Sequence, residues 1–249
     1  MTLPIVTLSI VSHGQGALVR GLLDDLACGV DVDHEVVLTL NIPEDERFIA
    51  DYPSLPITVV RNRERKGFGA NHNAAFAISR GQVFVIMNPD IRVRPLQLAP
   101  MLDTLARPRM GACAPAVFSS AGTLEDSARR FPTLARLARR ILLRRREPDY
   151  LWPEYPIEVD WVAGMFMLFR REAFEQVGGF DEGYFMYFED VDICRRLRSA
   201  GWNVGFDPHS SVFHDAQRAS RRRLTHLRWH LTSAVRYFAT STNREVRPR

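Results

Sequence analysis

Residues 82–90 read Gln82-Val83-Phe84-Val85-Ile86-Met87-Asn88-Pro89-Asp90, an apolar run that ends in a proline turn and a carboxylate. Five consecutive apolar residues fit a strand covered on both faces, the usual condition of a parallel sheet. Proline cannot continue the ladder, so the chain turns and leaves Asp90 at the carboxyl end of the strand. Three further strand candidates precede it: Ile5 to Val11, Glu35 to Leu40 and Ile57 to Val60. Between them, Leu18, Leu22, Leu23 and Leu26 recur at helical spacing after Gly16, and Asn73 to Ser79 follows a glycine-containing turn. The alternation predicts an α/β fold, with half of a nucleotide-binding parallel sheet flanked by helices. In open sheets of this kind ligands bind beyond the carboxyl ends of the strands.

The second half of the chain changes character. The spacing predicts a helix-like arginine-rich stretch, a long strand from Glu158 to Phe169, and a helix from Arg171 to Val177 stopped by Gly178 and Gly179. Another helix starts near Glu189, with Val191, Cys194 and Leu197 as its apolar stripe and Gly201 as its stop. Near the end, Leu224, Leu227, Leu231, Ala234, Val235 and Phe238 fall on one helical stripe flanked by Trp229 and Tyr237. The expected organisation is a main domain over 1–215, with 1–90 mainly nucleotide-binding and 91–215 mainly acceptor-binding, followed by a basic amphipathic helix and tail over 216–249.

At 249 residues and 46% hydrophobic composition, the chain can bury one sizeable core with an appendage. Ile5 to Val11 is short, lacks a preceding basic segment and ends in Ser12 and His13, so it reads as a strand and not a signal peptide. Apolar runs such as Val162 to Phe169 stop far short of the roughly 20 residues of a membrane span. Cys28, Cys113 and Cys194 are scattered and odd in number, which suits a reducing cytoplasm better than a disulfide framework.

The net charge of +4 conceals two basic runs. Arg129, Arg130, Arg136, Arg139, Arg140, Arg144, Arg145 and Arg146 occur with no acid among them, and Arg218 to Arg228 repeats the pattern. Such surface attracts phosphate or anionic lipid. It also serves plain solubility in a chain whose only lysine is Lys66. The interleaved aromatics of single-strand nucleic-acid binders are missing, so no nucleic-acid partner is expected. For the basic amphipathic segment 219–239, three readings stay open: core cover, contact in a homodimer, or peripheral docking on the inner face of a membrane.

Three constellations carry chemistry. Asp90, after Asn88 and Pro89, can hold Mg²⁺ or Mn²⁺ against a diphosphate, because hard cations take few carboxylates and keep positions open for phosphate oxygens. An ordinary turn aspartate is the alternative. Glu189, Asp190 and Asp192 crowd the start of a helix after the aromatic run Tyr184 to Phe188. Three acids in four residues exceed what capping requires, and a carboxylate there suits a general base. The turn Lys66-Gly67-Phe68-Gly69-Ala70-Asn71-His72-Asn73 runs into a helix and can offer backbone amides to a phosphate, but its spacing matches neither the dinucleotide nor the P-loop pattern. The absence of a glycine-rich triphosphate loop argues against a sugar nucleotidyltransferase, and the ordered acids argue against an arginine-rich nucleic-acid adaptor.

Taken in order, these pieces resemble family 2 of the inverting glycosyltransferases, with the GT-A fold, in particular its bacterial rhamnosyltransferase-like members. The resemblance runs through Ser12 and His13, the Lys66 to Asn73 turn, Asn88-Pro89-Asp90, Val159 to Gly164, Arg170 to Phe174, Gly178 to Glu182, Phe185 to Asp192, and His214 followed by Ser220. It implies a nucleotide diphosphate sugar donor, with rhamnose on deoxythymidine diphosphate the leading choice, and a glycan or polyprenyl-linked acceptor. It implies Asp90 as the second acid of the family's metal motif with Asn88 in the place of the first, Asp190 as the base with Glu189 and Asp192 beside it, and His214 completing the metal or diphosphate site. Donor contacts are expected from Ser12, His13, Asn41, Lys66, Gly67, Phe68, Asn71, Asn88 and Asp90, and acceptor-side contacts from Trp161, Gly164, Glu189, Asp192, Arg129 and Arg130. For Trp161, core packing is the competing role. One departure stands out: Leu40 and Asn41 occupy the place where the family carries an Asp-Asn pair whose acid contacts the base.

Overall fold

A computed structural model of the chain describes residues 6–133, 136, 148–214 and 224–241. Its first four strands are β1 (Val6–Ser12), β2 (His34–Leu40), β3 (Ile57–Arg61) and β4 (Val83–Met87), with α1 (Gly16–Ala27) and α2 (Phe68–Ile78) between them. All four are parallel, in the order β3-β2-β1-β4. The apolar run of β4 is split between both sides of the sheet. Val83, Val85 and Met87 join one core with Leu22 and Leu23 of α1, whereas Phe84 and Ile86 join the other. That double coverage is why the segment has no polar alternation.

The second half supplies β5 (Ile91–Arg92), α3 (Ala99–Ala106), β6 (Met110–Ser119), β7 (Ala128–Arg129), β8 (Ile157–Val159), β9 (Trp161–Val162), β10 (Phe166–Arg170), α4 (Arg171–Gln176), α5 (Glu189–Ser199), β11 (Asn203–His214) and α6 (Leu224–Ser241). The large sheet continues β4-β10-β6-β11-β5, with β8 also paired to β11. β10 runs antiparallel to both β4 and β6, and β11 is parallel to β6, so the long strands other than β10 share one direction. This is a mixed α/β architecture with a mostly parallel central sheet.

Two expectations change. The long strand over Glu158 to Phe169 is three short ones, because the chain bends at Asp160, whose carboxylate accepts the Phe131 N–H at 2.8 Å, and turns at Ala163 to Met165. The arginine-rich stretch opens as strand β7 at Arg129, paired with β9, and turns helical at Arg136. Arg139, Arg140, Arg144, Arg145 and Arg146 lie outside the described residues, as do Ser220, Arg221, Arg222 and Arg223.

Helix α6 lies against the body through one face. Tyr237 and Ser233 are buried, the Ser233 hydroxyl donates to the Met186 carbonyl at 2.9 Å, and Arg236 pairs with Asp181 at 2.8 Å. Leu227, Leu231 and Val235 point away and are 57%, 59% and 70% exposed, so the aliphatic stripe is not the core cover. Among the described residues no helix is long and apolar enough to cross a membrane.

His72 of α2 is completely buried, with its Nδ1 2.8 Å from the Ser9 hydroxyl on β1 and its ring flanked by Phe68 and Phe180. Burial pushes its pKa down to about 3. Because the unfolded imidazole takes up a proton near pH 6.5 and the folded one does not, stability present above that pH is lost as pH falls toward 3. The expected loss from this group between about pH 7.5 and about pH 5 is about 2 kcal/mol. Urea unfolding at the two pH values should show that increment in the wild type and its absence in His72→Gln.

Candidate active site

A cavity of about 840 Å³ opens beyond the carboxyl ends of β1 and β4. At the end of β4, the Asn88 N–H donates to the Met165 carbonyl at 2.9 Å, and the turn through Pro89 carries Asp90 onto the cavity wall. One Asp90 oxygen lies 3.3 Å from Nε2 of His214, the last residue of β11, whose Nδ1 lies 3.0 Å from Glu125. Burial alone would lower the His214 pKa, but Asp90 and then Glu125 outweigh it and raise it to about 8. The other Asp90 oxygen, Oδ1, is buried without a hydrogen-bond partner. A carboxylate oxygen left in that condition beside an imidazole fits a divalent cation. Among the described residues no three His, Cys, Asp or Glu side chains converge into a closed metal cage, so such an ion would take most of its ligands from substrate and water.

The start of α5 forms another part of the wall. Tyr187 and Phe188 both hold left-handed backbone, φ +71° and +68°, an arrangement costly for bulky residues that recurs at functional sites. It turns the chain so that Glu189 and Asp190 both face the cavity. Asp190 accepts the Gly164 N–H at 3.0 Å on one oxygen and the Val191 N–H at 2.9 Å on the other. Burial raises its pKa, against the lowering effect of those two amides and of the Arg129 charge. Glu189 is raised further, by burial and then by the neighbouring Asp190 charge, and its Oε2 has no partner. Two adjacent carboxyls in this state hold a proton between them at higher pH than isolated ones.

The nucleotide-side wall is organised by three amides. Asn41, after β2, accepts the Lys66 N–H at 2.8 Å and the Asn62 amide at 2.9 Å, and donates to the Lys66 carbonyl at 3.0 Å. Asn62 also donates to Asn71 at 2.6 Å, and Asn71 donates to the Gly67 carbonyl at 2.9 Å. Asn41 thus clasps the turn that sequence reading assigned to the donor. Gly67 is needed for closeness: a Cβ there would sit 2.7 Å from the Phe185 carbonyl oxygen, the acceptor of the Phe68 N–H.

Of the residues expected at the site, the cavity brings together His13, Asn41, Lys66, Phe68, Asn71, Asn88, Asp90, Gly164, Glu189, Asp190 and His214. Six others do not line it. Ser12 is buried and donates to Glu44, and Gly67 acts through its backbone. Asp192 pairs with Arg195 and Arg196, since two residues on from Asp190 a helix has rotated by about 200°. Trp161 is 8% exposed and donates its indole N–H to the Arg130 carbonyl, Arg129 is held by Asp126, and Arg130 stacks on Tyr150. Trp161 therefore takes the core-packing role. Sequence reading did not single out Arg65, and it missed Thr225, His226 and Trp229 as wall residues. The last three come from α6, whose aromatic flank was visible but whose return over the cavity was not.

Solved glycosyltransferases with the GT-A fold resemble this fold. The mannosyltransferase PcManGT from Pyrobaculum calidifontis, in complex with GDP-Man and Mn2+, superposes with a TM-score of 0.64 over 94% of this chain and 64% of that one, at 21% identity. S. aureus TarS 1-349 with UDP-GlcNAc gives 0.65 over 85% and 58%, at 13% identity. In sequence, residues 33–240 match the model described as Glycosyl transferase family 21, and the chain belongs to that glycosyltransferase family. The family number differs from the 2 of the sequence resemblance, while the rhamnosyltransferase-like character agrees. Rhamnosyltransferase WbbL of Escherichia coli K12 is 31% identical over 94% of this chain and 93% of its own length. The N-acetylglucosaminyl-diphospho-decaprenol L-rhamnosyltransferase of Mycobacterium tuberculosis is 37% identical over 62% of this chain, which spans 54% of that longer protein.

Proposed function

We propose that the chain transfers a sugar, with inversion at the anomeric carbon, from a nucleotide diphosphate donor to a hydroxyl of a glycan or polyprenyl-linked acceptor, in the synthesis of bacterial surface polysaccharide. The observation that carries this reading is the presence, in the wall of one cavity, of Asp190 with its raised pKa and Asp90 with its unpartnered oxygen. The names of the two relatives support rhamnose as the sugar, and the mycobacterial one supports an acceptor in which a sugar is joined to a polyprenyl chain through diphosphate.

Asp190 is the base. Each of its oxygens accepts one backbone N–H and keeps a further lone pair for an acceptor hydroxyl. The raised pKa brings its proton affinity closer to that of a base working near neutral pH. The hydroxyl oxygen attacks the anomeric carbon as its proton moves to Asp190, and the nucleoside diphosphate departs from the opposite face. Glu189, whose pKa is raised by burial and then by the Asp190 charge, limits the negative charge that gathers at this end of the cavity. Mg²⁺ or Mn²⁺, held by Asp90 and His214, would neutralise charge on the departing diphosphate. His214 must give up its proton to serve as a ligand, so metal binding and proton release are coupled there.

The outward face of α6 is assigned to the inner surface of an anionic membrane. Leu227, Leu231 and Val235 form an exposed aliphatic line, Arg228 is exposed on the same helix, and Arg218, Arg221, Arg222 and Arg223 precede it in sequence. A cationic, aliphatic helix face matches an anionic lipid interface. The same helix walls the cavity, so docking would bring a lipid-linked acceptor to it.

Asp190→Asn should lose transfer by about a hundredfold or more with donor affinity nearly unchanged, since the amide keeps the shape but cannot take the proton. Turnover within a few-fold of wild type would move the base elsewhere. Asp90→Ala should lose turnover together with metal-dependent donor binding, and calorimetry giving equal metal-dependent affinity would remove Asp90 from the metal site. In flotation with phosphatidylglycerol–phosphatidylcholine vesicles, the wild type should float at low salt, and the combined Leu227→Ser, Leu231→Ser and Val235→Ser variant should not. A folded wild type that never floats, or a dimer that the same substitutions dissolve, would reassign this face.

A further inference from the structure

Among the described residues Arg65 is the one guanidinium on the cavity wall, and it is stacked between two aromatic rings. Its Cζ lies 5.0 Å from the ring centre of Phe185 and 5.0 Å from that of Trp229, and those two rings are 4.9 Å apart at 37° to each other. No described carboxylate forms a salt bridge with it. Stacking engages the faces of a guanidinium and leaves its N–H donors free in the plane. The carboxylates lining the cavity, Asp90, Glu189 and Asp190, have their own partners or roles.

Each arm of the clamp is fixed independently. Phe185 is tied to the donor-side turn because its carbonyl accepts the Phe68 N–H at 2.9 Å across the Gly67 contact. Trp229 is placed by α6, whose His226 meets the Tyr187 hydroxyl at 2.8 Å and whose Arg236 binds Asp181. The charge reaches into the cavity: His13, at the end of β1, has its pKa lowered first by burial and next by Arg65.

We infer that the Phe185–Trp229 clamp presents Arg65 to the cavity as a binding residue for the diphosphate of the donor, with Trp229 as its positioning residue. A ring-stacked guanidinium with no salt bridge among the described residues, beside Lys66 and the amide-clasped turn, is an anion site, and its planar fork suits two phosphate oxygens at once. The C-terminal helix is thereby part of the donor site, although its sequence carries no phosphate-binding pattern. This assignment rests on the glycosyltransferase reading and refines it.

The test is calorimetry on the full chain with Mg²⁺, using dTDP and UDP as diphosphate probes and thymidine and uridine as phosphate-free controls. Arg65→Gln should weaken binding of the better diphosphate by about tenfold or more, as expected for loss of a charge-assisted contact, and leave its nucleoside unchanged. Trp229→Ala should fall between the two and Trp229→Phe should restore most of the affinity, with melting curves recording that each variant is folded. A merely structural role would weaken nucleoside and diphosphate alike. Diphosphate affinity within twofold of wild type in Arg65→Gln, or equal losses for nucleoside and diphosphate, overturns the assignment while leaving the glycosyltransferase reading intact. A wild type that binds neither diphosphate overturns both the assignment and the choice of a thymidine or uridine diphosphate donor.

Discussion

The turn at Ala163 to Met165 joins the two chemical halves of the molecule. Its Gly164 N–H fixes Asp190 and its Met165 carbonyl fixes the Asn88 N–H two residues before Asp90. The chain then enters β10, the antiparallel strand wedged between β4 and β6. The metal-side and base-side walls are therefore registered against each other by backbone hydrogen bonds, with little side-chain freedom between them. This rigidity suits a reaction in which a nucleophile and a leaving group must stand on opposite sides of one carbon. It also explains why the expected long strand breaks where it does: Gly164 leaves the ladder to serve Asp190.

The cavity is electrostatically divided. Arg65 and Lys66 lie on the turn after β3, while Asp90, Glu189 and Asp190 line the same cavity from the end of β4 and the start of α5, and His214 carries positive charge between Asp90 and Glu125. A nucleoside diphosphate is attracted to the first region and repelled by the second unless a cation intervenes. Burial acts on the carboxyl pair in the opposite sense to a salt bridge: it raises both pKa values. The protein spends little positive charge near its base, which keeps that base a willing proton acceptor.

The sequence made the parallel half of the fold legible because its signals are local. β4 is an uninterrupted apolar run and α1 a regular leucine stripe, and their observed bounds lie within two residues of those read from spacing alone. Asp90 and Asp190 were legible for the same reason, each sitting at the end or start of an element. Asp192 shows the limit of counting acids: three in four residues looked like one constellation, but helical rotation sends the third into a pair of arginines. Arg129, Arg130 and Trp161 form a stacked group of their own, a long-range arrangement that no spacing rule encodes. Asn62 went unnoticed because a lone asparagine in a polar turn gives no signal until Asn41 and Asn71 close around it.

Helix α6 inverts a common rule. Its most aliphatic residues, Leu227, Leu231 and Val235, face outward, and the side against the body carries Trp229, Ser233, Tyr237 and His226. A helix packed over a dry core turns its most apolar stripe inward because transfer from water is the main gain. A helix that walls a polar cavity gains instead from groups that combine ring area with a hydrogen-bonding tip, such as the Tyr187–His226 contact and the Trp229 face against Arg65. The hydrophobic periodicity of this segment is therefore real but reports on the wrong partner: it marks what the helix shows to its surroundings, while the histidine and tryptophan between the leucines mark what it contributes to the site.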